Sequence, residues 1–129
     1  MERIARGSCL IVDDEAPLRQ VLMLLMRGDG FECAEAADGR AALDYLESHR
    51  VSLVISDLRM PRVDGVELLR EIQARYPDTA VVLLTAVADV DVALKCLAIG
   101  AMDYLTKPFH LAEVRARVAQ ALERRRLVL

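Results

Sequence analysis

"LIVDDEAPLR", residues 10–19, decides how the rest of the chain is read. The branched apolar residues Leu10, Ile11 and Val12 run straight into Asp13 and Asp14 with no spacer. An uninterrupted apolar run of this kind is the centre of a strand buried on both faces, the habit of parallel sheets. Two adjacent like charges where such a strand leaves the core repel each other, so something nearby must compensate them.

Working outward, β-branched runs recur at CLIV (9–12), FECAEA (31–36), SLVIS (52–56), AVVLL (80–84) and MDYLT (102–106). All but FECAEA are near-continuous and read as doubly buried strands. FECAEA alternates, carries charge and belongs at a sheet edge. Helical stripes fill the gaps: Leu18, Val21, Leu22 and Leu25; Leu43 and Leu46; Leu69 and Ile72; Val90, Ala93, Leu94 and Leu97; and Leu111, Val114, Val118, Ala121 and Leu122. Asp14, Asp38, Asp64 and Asp89 are placed to cap helix starts, while Pro77 and Gly100 close the third and fourth helices. Strand and helix thus alternate five times with short connections. The fold expected is α/β, a flavodoxin-like (βα)5 doubly wound parallel sheet in the order 2-1-3-4-5, helices on both faces. Its ligand crevice lies at the carboxyl ends of strands 1 and 3.

The 129 residues suit a single domain, 54% hydrophobic and 29% charged, with a formal net charge of −3. That balance gives no reason to expect direct nucleic-acid or membrane binding. Neither a secretory h-region nor a long apolar span occurs, and Cys9, Cys33 and Cys96 stand apart with no CxxC pair. Reduced thiols and a cytoplasmic location are expected, without a zinc site or a disulfide framework.

The strand ends carry the chemistry. Strand 1 ends in Asp13-Asp14, strand 3 in Asp57 within "VISDLRMPRVDG" (54–65), strand 4 in Thr85-Ala86 and strand 5 in Lys107-Pro108. Clustered carboxylates raise one another's pKa values unless a cation lies among them. Oxygen-only ligands suit a hard divalent ion such as Mg²⁺.

In this order and spacing, "LIVDDE", "SDLRMPRVDG", "LLTA" and "GAMDYLTKPF" resemble the receiver domain of two-component response regulators, over about residues 7–125. The resemblance implies that Asp57 is the phosphoacceptor, taking a phosphoryl group from a phosphohistidine on a sensor histidine kinase or phosphotransfer domain. It implies a Mg²⁺ held by Asp14 directly, Asp13 through water, Asp57 and the backbone carbonyl of Arg59, with Lys107 pairing a phosphoryl oxygen and held by a cis peptide before Pro108. Thr85 and Tyr104 are the implied switch: the hydroxyl bonds the phosphoryl group and the ring turns inward. The face made by helix 4, strand 5 and helix 5 is then expected to change with phosphorylation, and it is a candidate homodimer surface. Helix 1, rich in apolar residues at 21–26, is a candidate seat for the phosphotransfer domain.

Other features are individual to this chain. Arg59 and Val87 flank the expected path of a hydrolytic water, and Val87 has no polar group to orient it, so a long-lived phosphoryl state is expected. The fourth helix has a second apolar stripe, Val92, Cys96 and Ile99, opposite the first. Residues 126–129 read as the start of a linker to a C-terminal output domain. Met102 replaces an acidic residue usual in winged-helix regulators. Two other Mg²⁺ or phosphate folds fit poorly. A haloacid-dehalogenase-like phosphatase needs D-x-D on strand 1, and an FMN binder needs a phosphate loop where the acidic DDE stands. The alternative kept is a degenerate receiver acting only as a protein-interaction module. Either way a switch is expected, not a turnover enzyme.

Overall fold

The computed structural model describes residues 7–127, with side chains through residue 124. Its elements run β1 (Ser8–Val12), α1 (Ala16–Gly28), β2 (Glu32–Ala36), α2 (Gly39–Ser48), β3 (Leu53–Asp57), α3 (Gly65–Arg75), β4 (Ala80–Ala86), a 3₁₀ turn (Val87–Asp89), α4 (Val90–Ile99), β5 (Asp103–Lys107) and α5 (Leu111–Leu127). The strands form one parallel sheet in the order β2-β1-β3-β4-β5, as the alternation of apolar runs implied. FECAEA is indeed an edge strand. MDYLT was expected to be buried on both faces; β5 instead forms the opposite edge, one residue later, with only Asp103 and Leu105 buried. An edge strand has a neighbour on one side only, so its apolar content serves one helix layer. Of the expected linker, residues 126 and 127 continue α5, and the rest lies outside the described residues.

The two-residue period of the strands divides the core into two layers. Cys9, Ile11, Leu53, Ile55, Val82, Leu84 and Leu105 face α1 and α5, meeting Leu22, Met26, Val114 and Val118. Leu10, Val12, Val54, Val81 and Leu83 face the other way, onto Leu43, Leu46, Leu68, Leu69, Ile72 and Cys96 of α2, α3 and α4. Each fully buried Leu or Ile contributes about 1.5–3 kcal/mol from lost water contact, so the central strands anchor the sheet.

Helix ends follow local chemistry with two departures. Asp38 accepts a hydrogen bond from the Ala41 amide at 2.8 Å and Asp64 from the Glu67 amide at 3.0 Å, capping α2 and α3. Gly100 ends α4 at φ 137°, a conformation that glycine adopts without a Cβ clash. Asp14 does not cap α1: the N-cap position is Glu15, without a side-chain cap, and Pro17 opens the helix. Asp89 does occupy the N-cap position of α4, but its carboxylate is taken by Arg59.

Two apolar stripes also rotate. In α4 the buried residues are Ala93 and Cys96, while Leu94, expected to be inside, is exposed. In α1, Leu22, Met23 and Met26 are buried and Val21 is exposed. Wide apolar surfaces on both helices leave the sequence period compatible with more than one buried direction.

Candidate functional site

Strand parity and register assemble the site. Asp13 follows Cys9 and Ile11 in parity, Asp57 follows Leu53 and Ile55, and Lys107 follows Leu105, so all three head toward the α1/α5 side at the carboxyl edge. Thr85 shares the opposite parity with Val81 and Leu83, and Tyr104 packs on that same layer as the register partner of Leu83. The residues read as acceptor and cation set thus lie on one side of the sheet, and the switch pair on the other. Thr85 leads toward both, one residue beyond the partner of Asp57 in β4.

Asp13, Asp14, Glu15 and Asp57 each offer a carboxylate oxygen, and these atoms lie within 4.8 Å of one another. Asp13 and Asp57 are buried; Asp14 and Glu15 are exposed. Lys107 reaches into the cluster from β5: its Nζ lies 3.0 Å from Asp57 Oδ2, 3.4 Å from Asp13 Oδ2 and 3.9 Å from Glu15 Oε1. The peptide between Lys107 and Pro108 is cis, as the resemblance implied. The turn after β1 is clamped. Asp13 Oδ1 accepts the Glu15 amide at 2.8 Å, and Arg19 donates to the Asp13 carbonyl at 2.7 Å while pairing with Glu35 at 2.8 Å.

The electrostatics show an acidic site in which carboxylates outnumber the single ammonium. Burial pushes the Asp13 carboxyl above its ordinary value and the Asp57 charge adds to this, against the opposing pull of the Glu15 amide and Lys107. Burial alone would lower Lys107; the hydrogen bond it donates to Asp57 and the charges of Asp13 and Asp57 outweigh it and hold the ammonium above its usual range. One ammonium faces four carboxylates, and the donor set is all oxygen. These residues fit a hard divalent cation, with Asp13, Asp14 and Asp57 able to hold it.

The remaining sequence candidates fall around this centre. Arg59 is exposed, and its side chain does not reach Asp57. Its guanidinium binds both carboxylate oxygens of Asp89, at 2.9 and 3.2 Å, while its amide donates to Asp57 Oδ1 at 3.3 Å. Thr85 is buried and donates to the Ala86 carbonyl at 3.1 Å. Tyr104 is half-buried, and Val87 is exposed. Two participants were missed in the sequence. Glu15 was quoted within DDE but given no role, although adjacency to the pair was signal enough. Asp89 was read only as a cap, and nothing local marks its pairing with a residue thirty positions away.

A model of the response regulator receiver domain family matches residues 9–119. The chain belongs to the response regulator receiver family. Over 117 residues the receiver domain is 39% identical to the DNA-binding transcriptional regulator NtrC of Klebsiella pneumoniae, covering 91% of this chain and 25% of that protein. It is 40% identical over 114 residues to the regulatory protein AtoC of Escherichia coli, covering 88% of this chain and again 25% of the relative. The chain therefore spans about a quarter of the length of these curated relatives. Among solved structures, a receiver domain protein from Clostridium thermocellum superposes with a TM-score of 0.87 at 31% identity, covering 98% of this chain and 100% of that one. Full-length FixJ from B. japonicum gives 0.87 at 32% identity, covering 95% of this chain and 60% of that one. Family membership makes the receiver domain a phosphorylation-gated signalling module. Among the described residues, no helix is long and apolar enough to cross a membrane.

Proposed function

We propose that Asp57 is the phosphoacceptor of this receiver domain and that its donor is the phosphohistidine of a sensor histidine kinase or phosphotransfer domain. An Asp57 carboxylate oxygen bonds to phosphorus as the P–N bond breaks. The imidazole, protonated on its other nitrogen, leaves neutral with the electron pair. A loose in-line transfer of this kind depends on positioning and charge neutralisation more than on nucleophile strength. Asp13, Asp14 and Asp57, with the Arg59 backbone carbonyl, would hold Mg²⁺, which supplies positive charge against the phosphoryl oxygens.

Lys107, 3.0 Å from Asp57 Oδ2, is close enough to pair with a phosphoryl oxygen once the acceptor is modified. Thr85 exchanges its bond to the Ala86 carbonyl for one to the phosphoryl group, drawing the loop after β4 inward. Tyr104, on the same sheet face, fills the space released. The α4-β5-α5 face changes as a result and signals to a C-terminal output domain or to a second copy. The length of the NtrC and AtoC relatives beyond the matched segment supports such an output domain.

The observation that carries the reading is the convergence of four carboxylate oxygens within 4.8 Å beside a single lysine. It is tested by incubating wild type and Asp57→Ala with Mg²⁺ and acetyl phosphate, then measuring intact mass. Wild type gains one phosphoryl group and Asp57→Ala gains none. A gain in both overturns the acceptor assignment, and a gain in neither returns the chain to a pure interaction module.

A further inference from the structure

Cys9 and Cys33 lie far apart in sequence and are direct register partners on the adjacent parallel strands β1 and β2. Hydrogen-bonded strands run about 4.7–4.9 Å apart, inside the Cα separation of about 4.4–6.8 Å that a disulfide spans. Both side chains leave the sheet on the α1 side, Cys9 within that core layer and Cys33 packed against it. Both are free thiols, Cys9 fully buried and Cys33 half-buried on the edge strand. Cys96 belongs to the opposite core layer and cannot reach either.

We propose that Cys9 and Cys33 form a thiol–disulfide exchange site, with Cys33 the attacking sulfur and Cys9 the resolving one, for small disulfides of the glutathione class. The two positions are unequal in the way that exchange requires. The hydrogen bond from Cys9 lowers the Cys33 thiol, opposed by partial burial and assisted by the Arg27 charge. The same contact, together with burial, pushes Cys9 well above its ordinary value, so it stays protonated beneath its neighbour. The Cys33 thiolate attacks one sulfur of the incoming disulfide, whose S–S bond breaks to release one thiolate. With Cys33 capped, no thiolate faces Cys9; it gives up its proton, attacks the Cys33 sulfur and expels the second thiolate. Two protein thiols are oxidised, one small disulfide is reduced, and the two thiol protons end on the released thiols. The product staples the edge strand β2 to the central strand β1.

Treatment of the full chain with oxidised glutathione, read by intact mass and proteolytic mapping, tests this. Wild type is expected to lose two hydrogens, with Cys9 and Cys33 recovered as one cross-linked pair and Cys96 free. Cys9→Ser is expected to stop with one glutathione on Cys33, and Cys33→Ser to take none at Cys9. Mapping of wild type decides the matter even if a variant folds poorly. Three free thiols after treatment, glutathione held on Cys33 without a cross-link, or a bond to Cys96 each overturns the proposal.

Discussion

Arg59 and Asp89 are joined by two hydrogen bonds, Nη2 to Oδ1 at 2.9 Å and Nε to Oδ2 at 3.2 Å. The pair ties the loop directly after Asp57 to the N-cap position of α4, the element proposed to respond when Thr85 changes partner. Solvent screens such a pair, so its leverage on the switch is modest. Arg59→Gln and Asp89→Asn are each expected to change the rate of phosphorylation by acetyl phosphate by less than about fivefold. The double variant should match the larger single effect, because removing either partner already breaks the contact. Additive effects in this cycle would mean that the two residues act separately.

With Arg59 engaged by Asp89 and Val87 exposed and apolar, neither flanking position presents a free polar group to an attacking water. The phosphorylated protein is expected to lose its label slowly, over many minutes or longer. Following intact mass after removal of the phosphodonor measures this directly. Loss within seconds would show that water is oriented by some other group.

The proposed function gives Lys107 two separable duties. Without metal it is the only side-chain cation paired with the carboxylates of Asp13 and Asp57 among the described residues, so Lys107→Met leaves two buried carboxylates facing each other. A loss of about 1–2 kcal/mol is expected, less than for a fully buried pair because the ammonium is partly solvated. Millimolar Mg²⁺ should restore that stability by replacing the missing charge. It should not restore phosphorylation, which is expected to fall about a hundredfold with the loss of a positioned cation. Thermal unfolding with and without Mg²⁺, beside phosphorylation rates, separates the two effects.

Much of this was legible because a parallel sheet writes itself as contiguous apolar runs. CLIV, SLVIS and AVVLL fixed the strands, and what followed each fixed the site, since a residue just past a buried strand can only lie at the sheet's carboxyl edge. The helices were less legible. In α4, Leu94 and Cys96 are both apolar, and only the packing of the layer formed with α2, α3 and the sheet decides that Cys96 goes in. The Asp14 cap failed for a related reason: a capping side chain and a cleft carboxylate look identical in sequence. The Arg59–Asp89 and Cys9–Cys33 pairings join residues distant in the chain, and no local pattern encodes them.

Gly65 shows how closely α3 approaches the end of β3. A Cβ there would lie 2.5 Å from the Asp57 carbonyl oxygen and 2.7 Å from the Leu58 Cα, both backbone atoms that cannot swing away. Gly65→Ala is therefore expected to destabilise the protein by about 1–3 kcal/mol through backbone displacement. Because the displaced segment carries Asp57, phosphorylation should slow as well. Denaturant unfolding and the acetyl phosphate assay together check this; an unchanged midpoint would mean that α3 is free to shift outward.

Asp13 gives the site a pH signature. Its carboxyl is held above the ordinary 3.8, chiefly by burial. A raised folded-state pKa means that the folded protein binds this proton more tightly than the unfolded chain. From 3.8 upward, the folded state therefore holds more proton than the unfolded one, and stability falls as pH rises through the raised value. At neutral pH the ionised Asp13 is a standing cost to the metal-free fold, and a bound divalent cation removes it. Asp13→Asn should accordingly raise the unfolding temperature of the metal-free protein at about pH 7 and leave it little changed near pH 4. The same variant should lose the stabilisation that Mg²⁺ gives wild type. If it instead unfolds more easily at neutral pH, the Asp13 charge is already satisfied by Lys107 and the Glu15 amide, and the site has no electrostatic need of a metal.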